Sequence, residues 1–165
     1  INLYVVMKKI LLVFILCFIS TIVVQAKDDY TDQYEIELAE VGAPGTLVVR
    51  VWCYGKKPNI QDDLYKENAI KGILFRGVSD SGRMKGRRPL VTDGYDSHRD
   101  YFDNFFKEKR FNNYARIALD GYVEQNSIIK VKKLYKVAKI VVISYNEIRK
   151  QLEDDKIIRG LSSGF

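Results

Sequence analysis

Cysteine, histidine, tryptophan and proline are all scarce in this sequence. Its 165 residues include two cysteines, one histidine, one tryptophan and three prolines. Two cysteines, Cys17 and Cys53, are too few for a disulfide-stapled scaffold, so a hydrophobic core must supply the stability. Nowhere does the order GxxxxGK[ST] or GxGxxG occur, which removes the phosphate-cradling loops of nucleotide-binding folds. HExxH and EF-hand loop patterns are missing as well, and no internal repeat or low-complexity block interrupts the chain. The apolar run Ile10–Val24 falls short of the about 20 residues that a membrane-spanning helix needs.

That run has a different reading. Met7 is followed by Lys8 and Lys9, then by the apolar stretch, then by Val24-Gln25-Ala26 and the charged Lys27, Asp28 and Asp29. A charged start, a hydrophobic centre and a small-residue cleavage site predict a secretory signal cut after Ala26. The six residues before Met7 read as lying upstream of the true start, so 1–26 is expected to be upstream sequence plus signal. A retained anchor is the alternative. Cys17 raises the possibility of lipidation, but Leu16 precedes it where a small residue is wanted. Periplasmic or secreted localisation makes nucleic acid an unexpected partner. Removing Lys8 and Lys9 from the 27 basic residues leaves an excess of 4 over the 21 acidic ones, compatible with an acidic envelope polymer.

Residues 27–165 read as a single domain of strands and helices. Tyr34, Ile36 and Leu38 alternate with Glu35, Glu37 and Ala39, the two-residue period of a half-buried strand. The turn residues Gly42-Ala43-Pro44-Gly45 join it to a β-branched and aromatic strand over 47–54, predicting a hairpin. A helix is expected from an Asn59 cap, with Asp62 and Asp63 in its first turn and Gly77 at its end. Gly72 weakens that helix, and a strand beginning at Ile73 competes with its second half. Ser97 is expected to cap a helix whose Tyr101, Phe102, Phe105 and Phe106 form a core-facing aromatic stripe. Asp120-Gly121 suggests a type I′ hairpin turn. The most apolar strand spans 134–145 and belongs at the centre of a sheet. Ser144 and Glu147 form a capping-box pair opening a last helix, with Ile148 and Leu152 one turn apart. This order predicts an α+β fold: one mixed or antiparallel sheet of about four to five strands, covered by two to three helices.

The runs NAIKGILFRGV and YFDNFF, the loop to RPLV and the ending IRKQLEDDKIIRGLSSGF resemble exported, uncharacterised proteins of Bacteroidetes. The element order is also similar to small envelope modules of the TolB N-terminal, LpoB and FlgT type. The resemblance implies a non-enzymatic envelope role and carries over no functional residue.

Two segments are candidates for chemistry. Residues 75–91 concentrate Arg76, Arg83, Lys85, Arg87 and Arg88 against one acid, Asp80. Arg83, Lys85, Arg87 and Arg88 suit carboxylate or phosphate recognition, and a solvated connector is the alternative. Asp93, Asp96, His98 and Asp100 bring carboxylates beside the sole imidazole, which suits a divalent metal or acid–base work. The same spacing also suits helix capping. Cys53, in mid-strand beside Trp52, reads as a small buried hydrophobe. The expected function is an exported, non-enzymatic envelope binding or assembly module, with no cofactor and no membrane span after cleavage. Its partner would be an envelope protein or an anionic envelope polymer; oligomeric state is open. A small envelope hydrolase or metal-binding enzyme using Asp96, His98 and Asp100 is the alternative.

Overall fold

The computed structural model describes residues 32–40, 42–80, 82, 85–118 and 127–160. Among these residues five strands form one antiparallel sheet: β1 (Tyr34–Glu40), β2 (Leu47–Gly55), β3 (Ala115–Ile117), β4 (Ile128–Val131) and β5 (Leu134–Ile143). Their spatial order is β1-β2-β5-β3, with β4 also pairing with β5. Among the described residues three α-helices accompany them: α1 (Asp62–Lys71), α2 (Arg99–Lys107) and α3 (Tyr145–Asp154). The fold is α+β, and the apolar 134–143 run is the central strand.

Strand alternation sorts the sheet into two faces. Val49, Val51 and Cys53 of β2 lie beside Val141, Lys139 and Val137 of β5. The apolar members of this set join Tyr65, Ile70, Phe102, Phe105, Ile148 and Leu152 from the helices in one core cluster. Val48 and Ala138 are also buried, yet they point the other way and stand outside that cluster. Lys139 is the exception on the inner face, only 9 % exposed. Its Nζ meets Asp62 Oδ1 at 2.5 Å, passing 5.4 Å from the centre of the Tyr65 ring. A buried ammonium needs such a partner, and the first turn of α1 supplies it.

The helix boundaries depart from the expected caps. The N-cap of α1 is Gln61, not Asn59, and its side chain makes no capping bond. No strand starts at Ile73. The chain instead widens into a π-helical turn, Gly72–Arg76, closed by Gly77 N–H donating to Gly72 O at 2.8 Å. Helical continuation wins because a returning segment satisfies the carbonyls at the helix end. Leu90 N–H donates to Ile73 O at 3.0 Å, and Val91 N–H to Leu74 O at 2.9 Å. Gly72 belongs there for space: a Cβ would meet the Ile36 side chain of β1 at 2.9 Å.

Ser97 does not cap α2. Its Oγ donates to Asp93 O at 2.9 Å, and His98 takes the N-cap position after a 3-10 turn, Asp96–His98. Ser144 does stand at the N-cap of α3, but without a side-chain capping bond. Its amide is already donated to Tyr114 O at 2.8 Å, so the reciprocal bond of a capping box has no donor to reach. The suggested Asp120-Gly121 turn lies outside the described residues.

The aromatic stripe folds inward as expected. Phe102 and Phe105 are buried, and Tyr101 and Phe106 pack at their edges. Tyr101 also ties α2 to the end of α3: its hydroxyl donates to Asp155 Oδ2 at 2.6 Å, and Arg110 lies 5.6 Å over its ring. That hydroxyl is the main cause that holds the Asp155 carboxyl below its ordinary 3.8; desolvation opposes it, and Gln151 and the Arg110 charge add to the lowering.

Two outcomes follow from this packing. Phe105→Ala should lower stability by about 3–5 kcal/mol, read as a lower urea midpoint and Tm. An unchanged midpoint would mean the ring faces solvent. A depressed carboxyl stabilises the fold above its unfolded pKa and loses that contribution as pH falls through the folded value. Tyr101→Phe should therefore be less stable than wild type at neutral pH, with the gap closing below pH 3.8. The Asp155 titration, followed by NMR, should move up towards 3.8 in that variant.

Candidate functional site

The segment that returns to the π turn builds one wall of a cleft. Leu90 and Val91 are held by the carbonyls of Ile73 and Leu74, and the chain then runs exposed through Thr92 and Asp93 to His98. The opposite wall is α3 and the residues after it. Between them lies a cleft of about 780 Å³ into which Arg149, Glu153, Lys156 and Arg159 project beside Asp93 and His98.

The end of α3 puts these bases in place. Lys156 N–H donates to Glu153 O at 3.0 Å and Ile157 N–H to Leu152 O at 2.8 Å. This is the paired closure of a Schellman motif, in which the residue after the C-cap turns left-handed and is usually glycine. Here it is Lys156, at φ 59°. An L-residue in that region costs roughly 1 kcal/mol. Ile157 packs against the core cluster and fixes the turn, while the flanking Lys156 and Arg159 are exposed. Arg149 is held by Glu153, Nε to Oε1 at 2.8 Å. Among the described residues no ion pair engages Lys156 or Arg159.

The acidic segment at 93–100 does not converge as its spacing suggested. His98 Nε2 lies 3.0 Å from Asp93 Oδ2, so the imidazole pairs with Asp93 rather than with Asp96 or Asp100. Asp96 is taken by Arg99, and among the described residues no hydrogen bond joins Asp100 to His98 or Asp93. No group of three or more His, Cys, Asp or Glu suited to a metal occurs among the described residues. Cys53 is buried, with Asn68 Nδ2 donating to its Sγ at 3.3 Å. Burial pushes its thiol up to about 12 despite that bond, which suppresses the thiolate a nucleophile requires.

The basic segment is partly ordered by backbone pairing. Val78 and Arg87 exchange two hydrogen bonds, N–H to O at 2.8 Å and 2.9 Å, and Ser79 bridges to Glu37 on the outer edge of β1. Gly86 is required at this closure, since a Cβ would meet Val78 O at 2.1 Å. Arg87 turns its guanidinium over the Tyr145 ring, 5.6 Å from its centre. Lys85 and Arg88 are exposed, and Arg83 lies outside the described residues. Leu90, two residues past Arg88, already lines the cleft, and Tyr145 stands one helical turn before Arg149. The basic segment and the cleft therefore adjoin.

Arg149, Lys156 and Arg159 escaped the sequence reading. The available signal was DDKIIRG, a helix end carrying lysine where glycine is favoured. In comparisons with family models, curated proteins and solved structures, the chain has no significant match to any of them.

Proposed function

We propose that the protein is an exported, non-catalytic binding module of the bacterial cell envelope, and that it holds an anionic polymer in the cleft between residues 90–98 and α3. One observation carries this reading: Arg149, Lys156 and Arg159 line a single cleft next to the exposed Lys85 and Arg88. Guanidinium and ammonium groups pair with carboxylate or phosphate through charge-assisted hydrogen bonds. An open cleft bordered by an exposed basic segment suits successive charges along a chain better than one small ligand. The envelope assignment rests on the Met7–Ala26 signal pattern. Among the described residues, no helix is long and apolar enough to cross a membrane.

His98 and Asp93 line the same cleft and favour a second reading, a small envelope hydrolase with His98 as a base oriented by Asp93. Hydrolysis of the bound polymer that vanishes in His98→Ala, with retention unchanged, would move the assignment to that reading.

The direct test is retention on an immobilised carboxylated polysaccharide. Wild type should bind, weaken as salt rises, and ignore an uncharged polysaccharide. Lys156→Glu/Arg159→Glu should bind about a hundredfold more weakly, the loss of two charge-assisted hydrogen bonds of about 1.5 kcal/mol each. Lys156→Gly should separate fold from function, raising Tm by relieving roughly 1 kcal/mol of backbone strain while weakening retention. Equal retention of wild type and the reversed variant at low salt would remove the cleft as the binding site. For localisation, N-terminal sequencing of the exported protein should begin at Lys27, and a product retaining Met7 would count against a cleaved signal.

A further inference from the structure

The sheet has a second surface that the cleft does not use. Register places Val48, Val142 and Arg116 in one row across β2, β5 and β3, with Arg50 opposite Ile140 in the next row. All five side chains point away from the helices, since their strand neighbours Val49, Val51 and Val141 are in the core cluster. They line a concavity of about 580 Å³, floored by Val48, Ile140 and Val142. Arg50 and Arg116 rise from strands on either side of β5, two strand spacings across and two residues along, or about 12 Å apart at the backbone. Arg116 is exposed and has no ion partner among the described residues. Among the described residues Arg50 has one long ion contact, Nη1 to Glu37 Oε1 at 3.4 Å.

We propose that this concavity is a binding site for a fatty carboxylate, with its head between Arg50 and Arg116 and its chain along Val48, Ile140 and Val142. An apolar floor alone would accept any aliphatic body. The two guanidinium groups select an acidic head, because their planar fork matches a carboxylate through paired hydrogen bonds. Glu40 lines the same concavity, and its charge disfavours a dianionic head, which selects carboxylate over phosphate. The volume lies within the about 300–1,000 Å³ typical of small-ligand sites. This site is separate from the cleft and does not depend on the polymer-binding reading.

The protein carries its own reporter. Trp52, the only tryptophan, stands two residues from Arg50 on the same strand and face. Its Nε1 donates to Glu37 Oε1 at 3.4 Å, the oxygen that also receives Arg50. A carboxylate that draws Arg50 away from Glu37 changes the surroundings of the indole. Titration of the full chain with laurate below its micelle concentration should therefore give a saturable change in Trp52 fluorescence. Dodecyl maltoside, with a chain and no acid, and propionate, with an acid and no chain, should not reproduce it. Arg116→Ala, at an exposed position that does not contact Trp52, should weaken laurate binding about tenfold, the worth of one charge-assisted hydrogen bond. Lys156→Glu/Arg159→Glu should bind laurate as wild type does, so failure at one site is distinguishable from failure at the other. Equal response to dodecyl maltoside, or unchanged affinity in Arg116→Ala, would overturn the proposal.

Discussion

The ladder between β2 and β5 is the interaction on which the remaining structure depends. It runs in unbroken register from Leu47 opposite Ile143 to Gly55 opposite Tyr135. An antiparallel ladder of that length fixes the face of every side chain on both strands, because slipping by one residue would exchange the faces. Val49 with Val141 and Cys53 with Val137 go to the helices, and Val48 with Val142 goes to the opposite side. β1 extends the pattern on one edge, while β3 and β4 share the other edge of β5.

Polar groups admitted to the interior are all engaged. Asn68 meets Cys53, the Tyr65 hydroxyl donates to Val137 O, and Lys139 reaches Asp62. No buried side-chain nitrogen or oxygen lacks a partner among the described residues. An unsatisfied buried group costs about 1–3 kcal/mol, a large share of a small domain's stability. The contacts of Asp62, Tyr65 and Asn68 with the sheet anchor α1 at three points along its first two turns. The position of α1 in turn sets the π turn, whose carbonyls receive residues 90 and 91. The wall of the cleft is thus positioned by backbone bonds that trace back to the central ladder.

The two proposed sites differ in how they are built. The cleft draws on the segment after the basic loop and on the end of α3, so its geometry follows from two irregular closures. The concavity on the free face of the sheet comes from regular strands alone. A long, flexible polyanion suits an open cleft with scattered bases, and a short amphiphile suits a firm apolar floor with two fixed guanidinium groups. Both readings use arginine and lysine in an excess that is only mild over the chain. What matters is where the strands and turns place those charges.

Periodicity and turn chemistry by themselves determined the hairpin of β1 and β2, the central place of β5 and the inward turn of Phe102 and Phe105. These features repeat over many residues, so local errors average out. The sequence also carried the left-handed turns at Gly45 and Gly77 in its glycines. A tertiary contact decided one cap and a local turn the other. Ser144 sits where a cap was expected, but its amide is spent on Tyr114, and Ser97 turns back to Asp93 instead of capping α2. The local turn before α2 likewise paired His98 with Asp93, while Arg99 took Asp96. Arg149, Lys156 and Arg159 became a set only when α3 packed beside residues 90–98, and Arg50 and Arg116 only when β5 came between their strands. Residues distant in sequence form a site through packing, and local periodicity holds no record of which distant surfaces will meet.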